Sequence, residues 1–234
     1  MNYQKGNALL IVIVLIALVA GYLYFTGGEE GGSEMVKEYT VTVSNVSDAQ
    51  PLSPGVLVLH TSEASLDFEG AVAPAELEPL AEYGSNTAFA ELVATLPGVV
   101  EVISVDAPIM PGQQAQVSVM VDEDGLLLSG IMMAVASNDG YALLNAVELD
   151  GTEKTVAAAN FDAGTEENTE LGSGFEGGQP DPSQGEANVE NGTATDPVAE
   201  VALHDQLTDT IMEVMVTPVV MEMDDEETED GEEN

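Results

Sequence analysis

The sequence predicts an all-β protein, an antiparallel β-sandwich set behind one transmembrane helix. Three observations carry this reading. Eight or nine short segments are rich in β-branched residues and separated by Gly, Pro, Asn and Asp. Helical signals are confined to residues 74–81 and 86–95, about two turns each. Residues 8–25 (ALLIVIVLIALVAGYLYF) form a run of 18 without a charge.

That run comes first in the chain. At about 1.5 Å per residue it spans roughly 27 Å, close to a bilayer core of about 30 Å. No face of it is polar, which argues against a buried core helix. Lys5 precedes it, and Glu29, Glu30 and Glu34 follow. The positive-inside rule then leaves the N-terminus in the cytoplasm and everything after Thr26 outside, with Tyr22 and Tyr24 near the outer interface. Residues 1–25 therefore read as a signal-anchor. Two alternatives stay open: a cleaved signal peptide, with Leu18-Val19-Ala20 before the cut, and a pilin-like segment processed after Lys5-Gly6. Such pilin-like segments usually carry Glu where Ile11 stands. Residues 26–35 open with TGGEEGGS and read as a flexible linker.

The sandwich is expected over residues 36–223. Residues 38–46 (EYTVTVSNV) and 114–121 (QAQVSVMV) alternate with a period of two, as half-buried strands do. Residues 55–60 (GVLVLH) are continuously apolar, as a strand covered on both faces would be. Residues 99–105 alternate again. Residues 126–135 and 141–149 flank Ser137-Asn138-Asp139-Gly140, a strong turn signal. Residues 155–161 and 197–203 follow as strands. Residues 211–223 (IMEVMVTPVVMEM) have strand composition broken by Pro218, which suggests an edge or a bulge. Residues 172–195 read as a long surface loop. Residues 224–234 contain eight carboxylates and read as a disordered acidic tail.

Composition excludes whole classes of function. The chain has 234 residues, 44% of them hydrophobic, enough for a real core. Against 43 Asp and Glu stand three lysines and no arginine, for a net charge of −40. Three lysines cannot neutralise a phosphate track, so nucleic acid is not a partner. Docking on anionic lipid or sulfated glycan fails for the same reason. Without cysteine there is no disulfide framework, thiolate nucleophile or thiolate metal site. An excess of carboxylates favours a hard divalent cation such as calcium.

Acid is focused in three loops: Asn138-Asp139-Gly140, residues 162–170 (DAGTEENTE), and Asp122-Glu123-Asp124. In the second, Asp162 leaves a strand and Gly164 permits a sharp turn that brings Glu166 back toward Asp162. Carboxylates four apart, facing another acidic turn, suit calcium, which takes 6–8 oxygens at about 2.3–2.6 Å. The alternative is a hydrogen-bonded turn in which Asp139 and Asp162 accept backbone N–H groups. Asp122 to Asp124, before Gly125, read as a hairpin turn.

Several stretches, in order along the chain, resemble the spondin N-terminal domain family. They are residues 39–45 (YTVTVSN), 50–54 (QPLSP) leading to His60, 78–84 (EPLAEYG), 109–112 (IMPG), 137–145 (SNDGYALLN), 161–166 (FDAGTE) and 196–201 (DPVAEV), together covering roughly residues 36–205. The resemblance implies a β-sandwich related to C2 domains, secreted or surface-attached. It also implies one calcium ion held by loop carboxylates, which match Asp139, Asp162 and Glu166 here. Beside them in sequence, Asn138, Glu167, Asn168 and Glu170 read as second-line ligands, with Glu167 equally read as solvated. Glu166 is one methylene longer than the Asp also allowed by the family's motif. Absence of cysteines and of a basic surface departs from the animal members, so their glycan and membrane binding is not carried over.

Catalysis is not expected. His60 and His204 read as structural, and no G-x-S-x-G, H-E-x-x-H or Walker loop occurs. Without tryptophan, the aromatic cleft usual for carboxylate-based glycosidases is missing. The methionines at 212, 215, 221 and 223 read as core filler. Asn45-Val46-Ser47 and Asn191-Gly192-Thr193 are glycosylation sequons. The expected function is a membrane-anchored, calcium-binding adhesion or recognition module for an extracellular protein or glycan. The alternatives are a structural subunit of a surface filament or layer assembled through the N-terminal helix and, third, a carboxylate-acting hydrolase.

Overall fold

Period-two alternation becomes two antiparallel sheets. The computed structural model describes residues 37–166 and 199–219. Its strands are β1 (Lys37–Asn45), β2 (Leu52–His60), β3 (Val99–Val105), β4 (Gln114–Val121), β5 (Leu127–Ala134), β6 (Gly140–Glu148), β7 (Lys154–Ala157), β8 (Ala159–Asp162), β9 (Ala202–Leu203) and β10 (Met212–Pro218). One sheet has the order β4-β1-β10-β7, the other β3-β2-β5-β6-β8-β9. All pairings are antiparallel. Among the described residues no helix is long and apolar enough to cross a membrane. The apolar run 8–25, the linker 26–35, the loop 172–195, the tail 224–234, the sequon at Asn191, and Glu167, Asn168 and Glu170 lie outside the described residues.

Apolar faces decide how the sheets pack. Tyr39, Val41 and Val43 of β1, Val119 and Val121 of β4, and Val214 and Val216 of β10 point at Leu57 and Leu59 of β2, Leu128 and Met132 of β5, and Leu144 of β6. Each such side chain contributes about 1.5–3 kcal/mol by leaving water. Ser118 and Met120, on the other parity of β4, are exposed. The six-stranded sheet is covered on its second face too. Val56, Val58, Ile131, Tyr141, Leu143 and Phe161 pack there against Leu77, Leu80 and Ala81 around helix α1 (Glu78–Tyr83), and Phe89 and Val93 of helix α2 (Thr87–Val93). Cover on both faces is why residues 55–60 are continuously apolar.

Several expectations are corrected. The run 155–161 is two short strands in different sheets: β7 pairs with β10 and β8 with β6, and the chain crosses at Ala158. Of the run 197–203, residues 199–203 are described, and among them Ala202–Leu203 forms a strand, paired with β8. Pro218 marks neither an edge strand nor a bulge. It ends β10 opposite Tyr39, and Val219 N donates to Glu38 O, so the proline nitrogen faces away from β1, beyond the last β7 pairing at Val216. No ladder bond is lost. Asp122 to Asp124 are not a hairpin turn, because β4 and β5 belong to different sheets; the loop crosses between them, and Asp124 accepts from Lys37 Nζ at 2.8 Å. Both helices are shorter than their sequence signals.

Candidate metal centre

The turn between β5 and β6 places Asp139. Ser137 Oγ accepts from Gly140 N at 2.9 Å, closing a tight loop, and Asp139 is fully buried at its tip. β8 lies beside β6 in the register Gly140↔Asp162, which brings the end of β8 to the same place. Ala163 N donates to Asp139 O at 3.2 Å. The chain then turns at Gly164, whose φ of +67° is left-handed and where a Cβ would lie 2.7 Å from Ala199 O. Only glycine satisfies both conditions.

The turn directs Thr165 and Glu166 at Asp139 rather than at Asp162. Thr165 N and Glu166 N donate to Asp139 Oδ2 at 2.8 and 3.1 Å, and Thr165 Oγ1 does so at 3.3 Å. Asp162 Oδ1 accepts from Gly164 N at 2.7 Å, an Asx turn. Asp139 and Asp162 thus accept backbone N–H groups, as the hydrogen-bonded turn requires. The turn does not account for every oxygen, however. Asp139 Oδ1 and Glu166 Oε2 are buried without a hydrogen-bond partner.

A third such oxygen is Oε1 of Glu82, in the last turn of α1. Exposure is 0% for Asp139, 4% for Glu166 and 3% for Glu82. Burial and then the Asp162 charge push the Asp139 carboxyl up to about 6, against the pull of its backbone donors. Burial, then the charges of Glu82 and Asp139, push Glu166 up to about 7, with an Asn138 hydrogen bond opposing. Glu82 is raised as well, by burial first and by the Glu78 charge, with Thr165 opposing.

The structure thus brings Asp139 and Glu166 together and sets Asp162 within electrostatic reach of Asp139. As the side chains stand, no three His, Asp or Glu among the described residues are grouped to hold a metal ion. The donor chemistry nonetheless fits a hard cation, since the three buried atoms of Asp139, Glu166 and Glu82 just named are carboxylate oxygens. Glu82 is the residue that sequence reasoning missed. It sits in the stretch 78–84, but in sequence it is one acid among 43.

Two other sequence features resolve into structure. His60 is fully buried between Thr61 O and Ser129 Oγ, each 2.8 Å from a ring nitrogen, and Ser129 Oγ also accepts from Ala146 N. Ala146, at φ 51°, is the extra residue where the β5–β6 register shifts, so the His60–Ser129 pair braces a bulge. Asn45 of the first sequon is buried, and its Nδ2 donates to Gln50 O and Ile109 O, both at 2.8 Å. A sugar attached there would replace one of the two amide hydrogens, so at least one of these buried bonds would be lost.

Neither models of known protein families nor curated proteins match this chain.

Proposed function

We propose that the chain is a calcium-binding extracellular adhesion or recognition module of the spondin N-terminal, C2-like type, anchored by the apolar helix at residues 8–25 and displayed through the linker at residues 26–35. The observation that carries the calcium reading is the pair of buried acids, Asp139 and Glu166, each with one oxygen lacking a donor. In a folded protein such an oxygen costs about 1–3 kcal/mol, more when charged, unless something pairs with it. Asp139, Asp162 and Glu166 would hold the ion, and the ion would supply charge neutralisation and fix the two loops. Loops of a sandwich held in that way present a stable recognition surface. The partner class is an extracellular protein or glycan without a strongly acidic surface, because the net charge of −40 repels one that has it.

Calorimetric titration of the detergent-solubilised protein with calcium tests the metal, and saturable binding at millimolar concentration or below is expected. Its absence would overturn the site. The adhesion role is tested with the same protein on an array of glycans and surface proteins, with and without calcium. Mass spectrometry of the native N-terminus tests the anchor: an intact start agrees with it, whereas Gly21 means secretion and Asn7 a pilin-like subunit.

A further inference from the structure

We infer that β4 is an adhesive edge, which pairs antiparallel with β4 of a second copy so that copies on two facing membranes share one sheet. This rests on the anchored adhesion reading above and names a partner for it. β4 ends the four-stranded sheet, and β1 is its one strand neighbour among the described residues. Asn45 N donates to Gln113 O, and the register runs on through Val43↔Ala115, Val41↔Val117 and Tyr39↔Val119. Antiparallel bonding alternates, so these residues of β4 turn their backbone groups to β1. The N–H and C=O of Gln114, Gln116, Ser118 and Met120 therefore point outward, away from the sheet. Edges are normally blunted by shortness, lysine, proline, inward charge or a bulge. β9 has two residues, β7 has four and carries Lys154, and β3 carries Glu101 and a register shift against β2. β4 has eight residues, QAQVSVMV, without a charge, proline or glycine, and its register with β1 is unbroken. Its core-side Ala115 and Val117 are only partly buried, and Met120 is 47% exposed.

The outward groups select the occupant. They are disposed symmetrically about Val117, so a two-fold axis there pairs Gln114 with Met120 and Gln116 with Ser118 of the second copy. Any other antiparallel register of two β4 strands leaves some of these groups without a partner in the strand. On the core side the same axis sets Val117 against Val117 and Ala115 against Val119, covering the exposed rim. Asp122 falls opposite Gly112, so no carboxylate faces another along the strand. The contact is thus uncharged, while the net charge of −40 repels at longer range and has to be screened by salt. Orientation follows from the pairing. β1 runs antiparallel to β4 in each copy, so the two β1 strands oppose each other and their Lys37 ends lie at opposite ends of the joint sheet. β1 has nine residues, a length of about 30 Å. In a single membrane one linker would have to run back along that length; between facing membranes neither does.

The test displays the full chain on phosphatidylcholine vesicles and reads their clustering by light scattering in sodium chloride. Flotation with the vesicles reports the anchor separately. Clustering is expected to rise about tenfold or more between 0.1 and 1 M salt, as the Debye length falls from about 10 to about 3 Å. Ser118→Pro removes an outward donor unused in a single copy, so it should abolish clustering and leave the low-salt melting temperature unchanged. The chain has no cysteine, so Val117→Cys adds a single thiol at the axis. Under mild oxidation Val117→Cys should cross-link to itself, whereas the more exposed Gln114→Cys should not. Floated vesicles that do not cluster at 1 M salt would overturn the inference with the anchor intact. Failure to float would overturn the anchor and pairing across membranes, and self-cross-linking of Val117→Cys in solution would then support the strand pair alone. Clustering that survives Ser118→Pro, or faster cross-linking of Gln114→Cys than of Val117→Cys, would overturn the β4 pairing. So would slow low-salt amide exchange at Gln116 and Ser118, which would mean that the chain covers its own edge.

Discussion

Calcium-free protein should lose stability as pH rises from 4.5 to 8, the reverse of ordinary acid denaturation. Asp139 and Glu166 have folded-state values of about 6 and about 7, raised above their usual values of 3.8 and 4.5. A carboxyl with a raised folded value holds its proton longer folded than unfolded. Its stabilisation is complete below about pH 4 and disappears as pH climbs through 6 and 7. Each shift exceeds two pH units, or ~3 kcal/mol per residue at 1.36 kcal/mol per unit. The two acids repel each other, so their effects overlap, and ~3–5 kcal/mol in total is expected. At roughly 2–4 °C per kcal/mol for a chain of this size, the melting temperature should fall by about 6–20 °C. Surface acids also charge over this range, so the scans belong in 1 M potassium chloride, where the Debye length is about 3 Å. Subtracting the profile of Asp139→Asn/Glu166→Gln isolates the two residues, because that variant has nothing to ionise there. A wild-type profile parallel to the variant's would refute the reasoning and return both carboxyls to ordinary solvation.

Calcium at pH 8 should reverse that loss by about 2.7 kcal/mol at a hundredfold excess over Kd, more than sodium of equal ionic strength or magnesium achieves; Asp162→Asn should remove most of the increment, as differential scanning calorimetry will show. Self-repulsion at a net charge of −40 should lower the melting temperature in 10 mM relative to 1 M sodium chloride, and equal temperatures would count against it. Asn45→Ala removes the donor to Gln50 O and Ile109 O and should cost about 2–4 kcal/mol in urea unfolding; peptide mapping should find Asn45 free of glycan. Gly164→Ala forces a Cβ to 2.7 Å from Ala199 O in a left-handed conformation, so it should cost about 1–3 kcal/mol and weaken calcium binding in the same calorimetric titration.

Strands announced by alternation were legible because parity alone sorts their faces. Residues 114–121 are the clear case, with Val119 and Val121 inward and Ser118 and Met120 outward. The corner at Ala158 was not, because the run TVAAANF has no glycine or proline to mark a change of sheet. The crossover at residues 122–126 looks like a hairpin loop locally, since turn chemistry does not encode which strand comes next. At the candidate site, the Asp-Ala-Gly spacing foretold the turn at Gly164 but not its target. Backbone direction after Gly164 sends the Thr165 and Glu166 amides to Asp139, a long-range contact. Glu82 was hidden for a different reason. An acid in the last turn of a short helix is ordinarily solvated, and only packing of α1 on the sheet shows that this one is not.

The placement of β1 has a mechanical consequence. β1 lies between β4 and β10, and Val219 N bonds back to Glu38 O, so the chain enters at Lys37 and leaves after Val219 at one corner. Tension applied between these two points would peel β1 from β10 one pair at a time, at low force. Tension between Lys37 and the far loops would instead load both of its ladders lengthwise, and every bond would have to slide together. Under the anchoring proposed above, a pull from the Lys37 end against a grip on the loops would load the module in its stronger direction.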